Sequence, residues 1–176
     1  MKQAFAKTMT AARQRQRKHH HSGIAAIASL LLLALAPIPP AARAATTERL
    51  VVDWHTGLAI GGYDPVAFYT DGKATLGSPD FEFVYGGAVW RFCNVGNRDA
   101  FAARPDVYMP QFGGYDPLGV ARGIAVAGSP GVWLIAEGRL YLFYNRERLE
   151  IFAADSARIT AAAERKWPDV LNTLSQ

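Results

Sequence analysis

Sulfur and histidine are scarce in this chain of 176 residues. Its one cysteine, Cys93, excludes an intrachain disulfide, so an ordinary hydrophobic core must hold the fold together. Of the four histidines, only His55 lies beyond residue 21. The sequence has no phosphate loop, no dinucleotide-binding fingerprint and no metalloprotease helix. These absences argue against disulfide-stapled domains, nucleotide-dependent enzymes and zinc proteases.

Positive charge is also missing from most of the chain, although the formal net charge is +4. Of the 19 lysine and arginine residues, seven precede residue 45, whereas all 15 aspartate and glutamate residues follow it. The chain from residue 45 onward therefore has 12 basic and 15 acidic residues, a net charge of −3. A basic surface for nucleic acid is not expected on such a domain.

The first 44 residues have the pattern of a secretory signal peptide. A basic stretch precedes an apolar run over residues 23–36, and three prolines follow within four positions. Ala42 and Ala44 place small residues where a signal peptidase requires them, which predicts cleavage after Ala44 or Ala45. We therefore expect residues 1–44 to be removed and residues 45–176 to form the working domain.

An uncleaved membrane anchor is the alternative, because residues 23–42 carry no charge. The prolines would interrupt a membrane helix, which needs ~20 apolar residues, so we favour cleavage. The expected location is the periplasm or the cell exterior, with contact to the membrane only through the export signal.

The region beyond the leader contains an internal repeat. Gly61-Gly62-Tyr63-Asp64-Pro65 recurs 52 residues later as Gly113-Gly114-Tyr115-Asp116-Pro117. At an offset of 51, nine of the 27 positions from 77 to 103 are identical, where about two would be expected by chance. We interpret the chain as a degenerate tandem duplication, with units of about 61–112 and 113–165.

Each unit has the pattern of a hairpin followed by a helix. Residues 81–85 and 89–92 flank a glycine-containing turn, and so do residues 132–135 and 140–143, which predicts two β-hairpins. Asn94 and Asn145 then cap short helices that carry Phe101 and Phe152.

A last helix is predicted to begin at Asp155-Ser156 and to be ended or bent by Pro168. The predicted class is α+β, with two hairpin-helix units in one compact domain and a C-terminal helix that reaches toward residue 176. The aromatic stripes of the strands are interpreted as core.

Several stretches resemble a known family. Residues 62–67, 89–93, 97–101 and 105–108 resemble the YHS domain. With the signal peptide, the second Gly-Gly-Tyr and the terminal Lys166-Trp167-Pro168, the chain looks like a member of the exported YHS domain-containing (seleno)protein family. This resemblance implies a treble-clef-like fold over nearly all of the chain beyond the leader, and no particular reaction.

Metal binding is one chemistry that the resemblance suggests. Metal-binding YHS relatives have cysteines at positions that correspond here to Ala67, Cys93 and Asn97. One thiol in three positions does not make a closed tetrahedral site, so we favour Cys93 as a small, half-buried apolar side chain. Cys93 and His55 remain the candidate ligands if a metal ion is bound.

Redox chemistry is the second chemistry that the resemblance suggests, because many family members have cysteine or selenocysteine directly after Gly-Gly-Tyr. This chain has Asp116 there, and a carboxylate cannot exchange thiols. A redox protein, or an accessory factor for one, is kept as an alternative function on the basis of the relatives alone.

The repeated motif supplies a different candidate site. Tyr63, Asp64, Tyr115 and Asp116 would bind a cation or a polar ligand if they faced one cleft between the halves. In the alternative, which we favour, each Asp-Pro makes a turn in which the aspartate bonds its own backbone.

We expect a non-catalytic binding module of unknown partners, with a metal ion or a small molecule as the first candidate ligands and no cofactor firmly implied. An interaction domain for another envelope protein is the third alternative.

Overall fold

Two hairpins and the helices that follow them make up most of the protein. The structure is a computed structural model that describes residues 49–174, so the predicted signal peptide lies outside the described residues. The elements in chain order are α1 (Ala67–Thr70), β1 (Ser78–Tyr85), β2 (Ala88–Phe92), α2 (Val95–Ala103), α3 (Pro105–Tyr108), α4 (Pro117–Val120), β3 (Ser129–Ala136), β4 (Arg139–Phe143), α5 (Arg146–Ala154) and α6 (Ser156–Leu174). Short 3-10 turns at Ile60–Gly62 and Gln111–Gly114 lead into the repeated motifs.

The predicted α+β class is confirmed, and both hairpins are antiparallel two-stranded sheets, β1 with β2 and β3 with β4. Each hairpin turns on two residues with positive φ, Gly86-Gly87 and Glu137-Gly138. Such turns match the right-handed twist of the flanking strands. The two halves therefore repeat the same order of turn, hairpin and helix.

The repeated Gly-Ser-Pro marks the point where the chain enters each hairpin. The strand register shifts just after it in both halves, between Ser78 and Glu82 and between Ser129 and Trp133. A Cβ on Gly77 would lie 2.4 Å from the carbonyl carbon of Arg91. The glycine is needed because the entering chain crosses the neighbouring strand at contact distance, and Gly128 meets Leu142 in the same way.

The predicted helix caps are confirmed in both halves. The side chain of Asn94 accepts a hydrogen bond from the N–H of Asn97 at 2.9 Å. Asn145 caps α5 in the same way, with Arg148 N–H at 3.0 Å. Each cap satisfies one of the backbone donors that a helix leaves unpaired in its first turn.

An aromatic cluster fixes each helix on its hairpin. The ring of Phe101 lies 4.9 Å from that of Trp90 and 5.3 Å from that of Phe92. In the second half, Phe152 lies 4.8 Å from Tyr141 and 5.2 Å from Phe143. The short helices are therefore held by packing, since helices of nine residues are marginal by themselves.

The second hairpin lies between two hydrophobic cores. Leu140 and Leu142 of β4 belong to the first core, together with Trp90 and Phe101 of the first half. Tyr141 and Phe143, on the opposite face of β4, belong to the second core. In β2, by contrast, alternate residues are fully buried. The halves are therefore joined through β4, which is buried on both faces.

The C-terminal helix closes the second core. Ile159, Ala163 and Val170 of α6 are buried there. The helix does not end at Pro168 but continues through it to Leu174. A proline inside a helix costs about 3 kcal/mol, and burial of Val170 beyond it, worth about 1.5–3 kcal/mol, offsets much of that cost. Between residues 49 and 174, no helix is both long and apolar enough to cross a bilayer.

Candidate functional site

Asp64 lies at the centre of a hydrogen-bond cluster in the first half. Its side chain is fully buried, at 0 % exposure. Oδ1 accepts hydrogen bonds from the backbone N–H groups of Val66 at 2.8 Å and Ala67 at 3.2 Å. Oδ2 accepts hydrogen bonds from the N–H of Cys93 at 2.8 Å and the side-chain amide of Asn97 at 2.7 Å. The carboxylate thereby joins the start of α1 to the end of β2 and the first turn of α2.

Asp116 has the equivalent place in the second half and is also 0 % exposed. Oδ1 accepts from the N–H of Gly119 at 3.0 Å and from Arg148 Nη1 at 3.0 Å. Oδ2 accepts from the N–H of Tyr144 at 2.9 Å. Arg148 occupies the position of Asn97, so a guanidinium replaces the neutral amide of the first half.

Within residues 49–174, the two motif aspartates share no hydrogen-bond partner. Each carboxylate is enclosed by its own half, so the two do not face each other across a shared cleft. Tyr63 is half-buried against the first core and Tyr115 is buried in the second core. This geometry favours the turn interpretation. Joint ligand binding by the four residues remains a prediction that none of these contacts supports.

Ala67, Cys93 and Asn97, the three positions that the family resemblance singled out, all lie around one carboxylate. Ala67, Cys93 and Asn97 all donate hydrogen bonds to Asp64. The residues present do not fit a soft metal ion, because only one of the three supplies a thiol and the Asn97 amide is bound to the carboxylate. Among residues 49–174, no three Cys, His, Asp or Glu side chains are grouped closely enough to hold a metal ion.

The thiol of Cys93 has a raised pKa. Burial, and after it the neighbouring Asp64, raises the pKa of Cys93 to about 11. At neutral pH the group is therefore a thiol rather than the thiolate that binds metals and attacks disulfides. Its Sγ also donates to the carbonyl oxygen of Leu76 at 3.7 Å.

His55 lies in an exposed turn that precedes the repeat. Its backbone N–H and that of Thr56 donate to Oδ1 of Asp53 at 2.9 and 3.0 Å, which is an Asx-turn. The imidazole Nδ1 is 3.9 Å from the same oxygen. In the described part of the chain, no hydrogen bond or ion pair joins His55 to Cys93, so the structure provides no support for a pair of metal ligands.

A cavity of about 590 Å³ lies where the N-terminal segment meets the second half. We call it the N-terminal cavity. Its lining residues are Leu50, Val51, Val52, Asp53, Trp54, Gly57, Gly86, Gly87, Tyr115, Ala125, Ala127 and Leu174. Of the four motif side chains proposed as ligand-binding, Tyr115 alone is among them.

Backbone hydrogen bonds hold the N-terminal wall of this cavity in place. Val51 N–H donates to the carbonyl of Gly113 at 2.8 Å, and Ile60 N–H donates to the carbonyl of Val51 at 2.9 Å. A Cβ on Gly113 would lie 1.9 Å from the carbonyl oxygen of Arg49. Gly113 must therefore be glycine because the N-terminal segment passes directly over the second motif.

The cavity wall combines apolar side chains with a single acidic group and two aromatic residues. The N–H of Thr56, followed by that of His55, lowers the pKa of Asp53, so its carboxylate is ionised at neutral pH. Trp54, next to it, is 83 % exposed. Such exposure is unusual for so large an aromatic side chain.

The sequence interpretation missed this cavity, since its wall comes from five separate stretches of the chain. One feature of the sequence could have pointed to this cavity. The segment 51–57 lies outside the duplication, so the repeated fold does not by itself explain an exposed tryptophan there. Comparison of the chain with protein-family models, curated proteins and solved structures finds no match.

Proposed function

We propose that this chain is an exported, non-catalytic binding module of the YHS type, and that its ligand is a small molecule held in the N-terminal cavity. The cavity volume of about 590 Å³ is the observation that carries the proposal. Small-molecule sites usually have ~300–1,000 Å³ and a mainly apolar wall with a few polar groups. The wall described above has that composition.

The YHS assignment is supported by the placement of its motif residues. Ala67, Cys93 and Asn97 surround Asp64, as a shared ligand site in metal-binding relatives would require. In each half a hairpin is followed by a capped helix, as expected for a treble-clef-like unit. On this proposal the chain keeps the scaffold of such domains and has replaced their metal site by a hydrogen-bonded carboxylate.

A non-catalytic role is supported by the state of the reactive groups. The high pKa of Cys93 disfavours a thiolate nucleophile. Asp64 has hydrogen-bond donors on both oxygens, which leaves it poorly placed as a general base. Among the described residues, no reactive group therefore favours the redox alternative. No specific contact of these residues favours the envelope-interaction alternative.

Ligand screening with a cavity-filling variant tests the binding function. We would measure thermal shifts of the purified protein with a panel of small aromatic and aliphatic compounds of positive, negative and zero charge. Ala127→Phe would place a large side chain at the cavity wall, whereas Ala102→Phe on the exposed side of α2 serves as the matched control.

We expect at least one compound to stabilise the wild type and Ala102→Phe but not Ala127→Phe. Binding that Ala127→Phe leaves unchanged, or no binding by any compound, would contradict the proposal.

Export has its own test. After expression in a bacterial host, the mass of the protein in the periplasmic fraction should correspond to a chain that begins at Ala45 or Thr46. Full-length protein retained in the cytoplasm would contradict the proposed location.

A further inference from the structure

The charge of the wall distinguishes among ligands for the N-terminal cavity. Among the described residues that line it, Asp53 alone is charged, and no lysine or arginine is present. An anionic ligand would therefore meet a carboxylate without any compensating positive group. A neutral ligand would gain nothing from the carboxylate, which is exposed to water. A positively charged ligand would pair with Asp53 and would need no further charged group in the wall.

The carboxylate is held in its charged form and in a defined place. Two backbone N–H groups bind its Oδ1, and these bonds lower the pKa of Asp53. Its one ion-pair neighbour within the described residues is the His55 imidazole, at 3.9 Å. No permanently charged cation neutralises it there.

Two aromatic side chains add a second feature that suits a cation. Trp54 lines the cavity while 83 % of its surface is exposed. Indole is the aromatic group with the strongest attraction for a cation over its face. Tyr115 lines the cavity from the second half. Apolar residues such as Leu50 and Val52 supply a surface for a hydrocarbon body.

We propose that the N-terminal cavity binds a small organic cation, an amine or quaternary ammonium with an apolar body. The positive charge lies at Asp53 and Trp54, and the apolar body lies against Leu50 and Val52. This inference rests on the proposed binding function and specifies its ligand class.

Asp53 also has a structural role, and the test must separate the two. Both backbone hydrogen bonds of the Asx-turn end on Oδ1. An asparagine keeps this oxygen and removes the charge, so Asp53→Asn preserves the turn. Asp71→Asn, on an exposed aspartate outside the cavity lining, is the matched control for charge.

Three probes of similar shape and different charge are titrated by calorimetry into the full protein: 2-phenylethylammonium, 2-phenylethanol and 3-phenylpropionate. We expect the cation to bind about tenfold more tightly than the alcohol, and the carboxylate to bind most weakly. Asp53→Asn should weaken cation binding about tenfold and leave the alcohol within about twofold, while Asp71→Asn changes neither. Trp54→Leu should weaken the cation more than the alcohol.

Equal affinity for the cation and the alcohol, or an unchanged cation affinity in Asp53→Asn, would overturn the cation inference and leave the binding function standing. Absence of binding by all three probes would also overturn it. The proposed function fails only if the wider, charge-balanced panel finds no ligand that Ala127→Phe excludes.

Discussion

Replacing Asp64 by alanine removes the acceptor that joins three segments of the first half. Three backbone N–H groups, those of Val66, Ala67 and Cys93, lose their partner inside the fold. An unpaired buried donor costs about 1–3 kcal/mol. A water molecule can enter the space and satisfy part of the loss, so we expect Asp64→Ala to lower the free energy of unfolding by about 3–6 kcal/mol. That is a large share of the ~5–15 kcal/mol typical of a folded domain.

Asp64→Asn should have a smaller effect. Its side-chain oxygen still accepts from Val66 and Ala67, and the Asn97 amide can turn to accept from the new NH₂ group. Only the N–H of Cys93 then lacks a partner, which costs about 1–3 kcal/mol. Asp71→Ala, at an exposed position, should change the stability by less than about 0.5 kcal/mol.

Urea unfolding followed by circular dichroism measures these differences, since a change in midpoint at constant slope reports a change in stability. A loss below about 1 kcal/mol for Asp64→Ala would refute the reasoning. The carboxylate would then not be a structural link, and Asp64 would again be a candidate for binding a ligand.

Other groups give further expectations. With a pKa raised from 9.0 to about 11, Cys93 should have about 100-fold less thiolate at pH 7 than an unperturbed thiol and should therefore react more slowly with iodoacetamide. The rate should rise with pH up to about 11, and a plateau near pH 8 would contradict this charge state. Gly77→Ala should destabilise the protein by about 2–3 kcal/mol or more because its Cβ meets the backbone of β2. Gly131→Ala should be nearly neutral in urea unfolding, because its Cβ would lie at an ordinary contact distance of 3.7 Å from Ser129 Oγ. Asn94→Ala should cost about 1 kcal/mol through the lost helix cap, and no change in the urea midpoint would argue that the cap is dispensable.

Local features of the fold were predictable because their causes are local. Glycines at the hairpin turns and asparagines at the helix starts specify their conformations within a few residues. The Asp-Pro turn was predictable for the same reason. Phe101 and Phe152 were expected on these helices because they come at matching places after each strand.

Long-range features were not predictable in this way. Asp64 binds Cys93 and Asn97, which lie 29 and 33 residues away, and no pattern in the sequence specifies that pairing. The continuation of α6 through Pro168 depends on burial of Val170 in the second core, which outweighs a local helix-breaking signal. The same holds for β4, whose burial on both faces depends on how the halves stack.

The candidate site depends on such long-range placement almost entirely. Trp54 and Tyr115 are 61 positions apart in the sequence and line one cavity. The sequence suggested a ligand site at the repeated motif. In the structure, the candidate cavity lies instead where the unrepeated N-terminal segment crosses the second half.

A titration of the ¹⁵N-labelled protein with 2-phenylethylammonium, followed by two-dimensional NMR, tests the central claim most directly. The account predicts that the amide signals of Gly57, Gly86 and Gly87 shift together with the indole signal of Trp54. The signals of Cys93 and its neighbours around Asp64 should stay in place. Shifts centred on Cys93 would contradict a binding module that uses the N-terminal cavity. No shifts at concentrations that saturate a weak site would contradict an organic cation as its ligand.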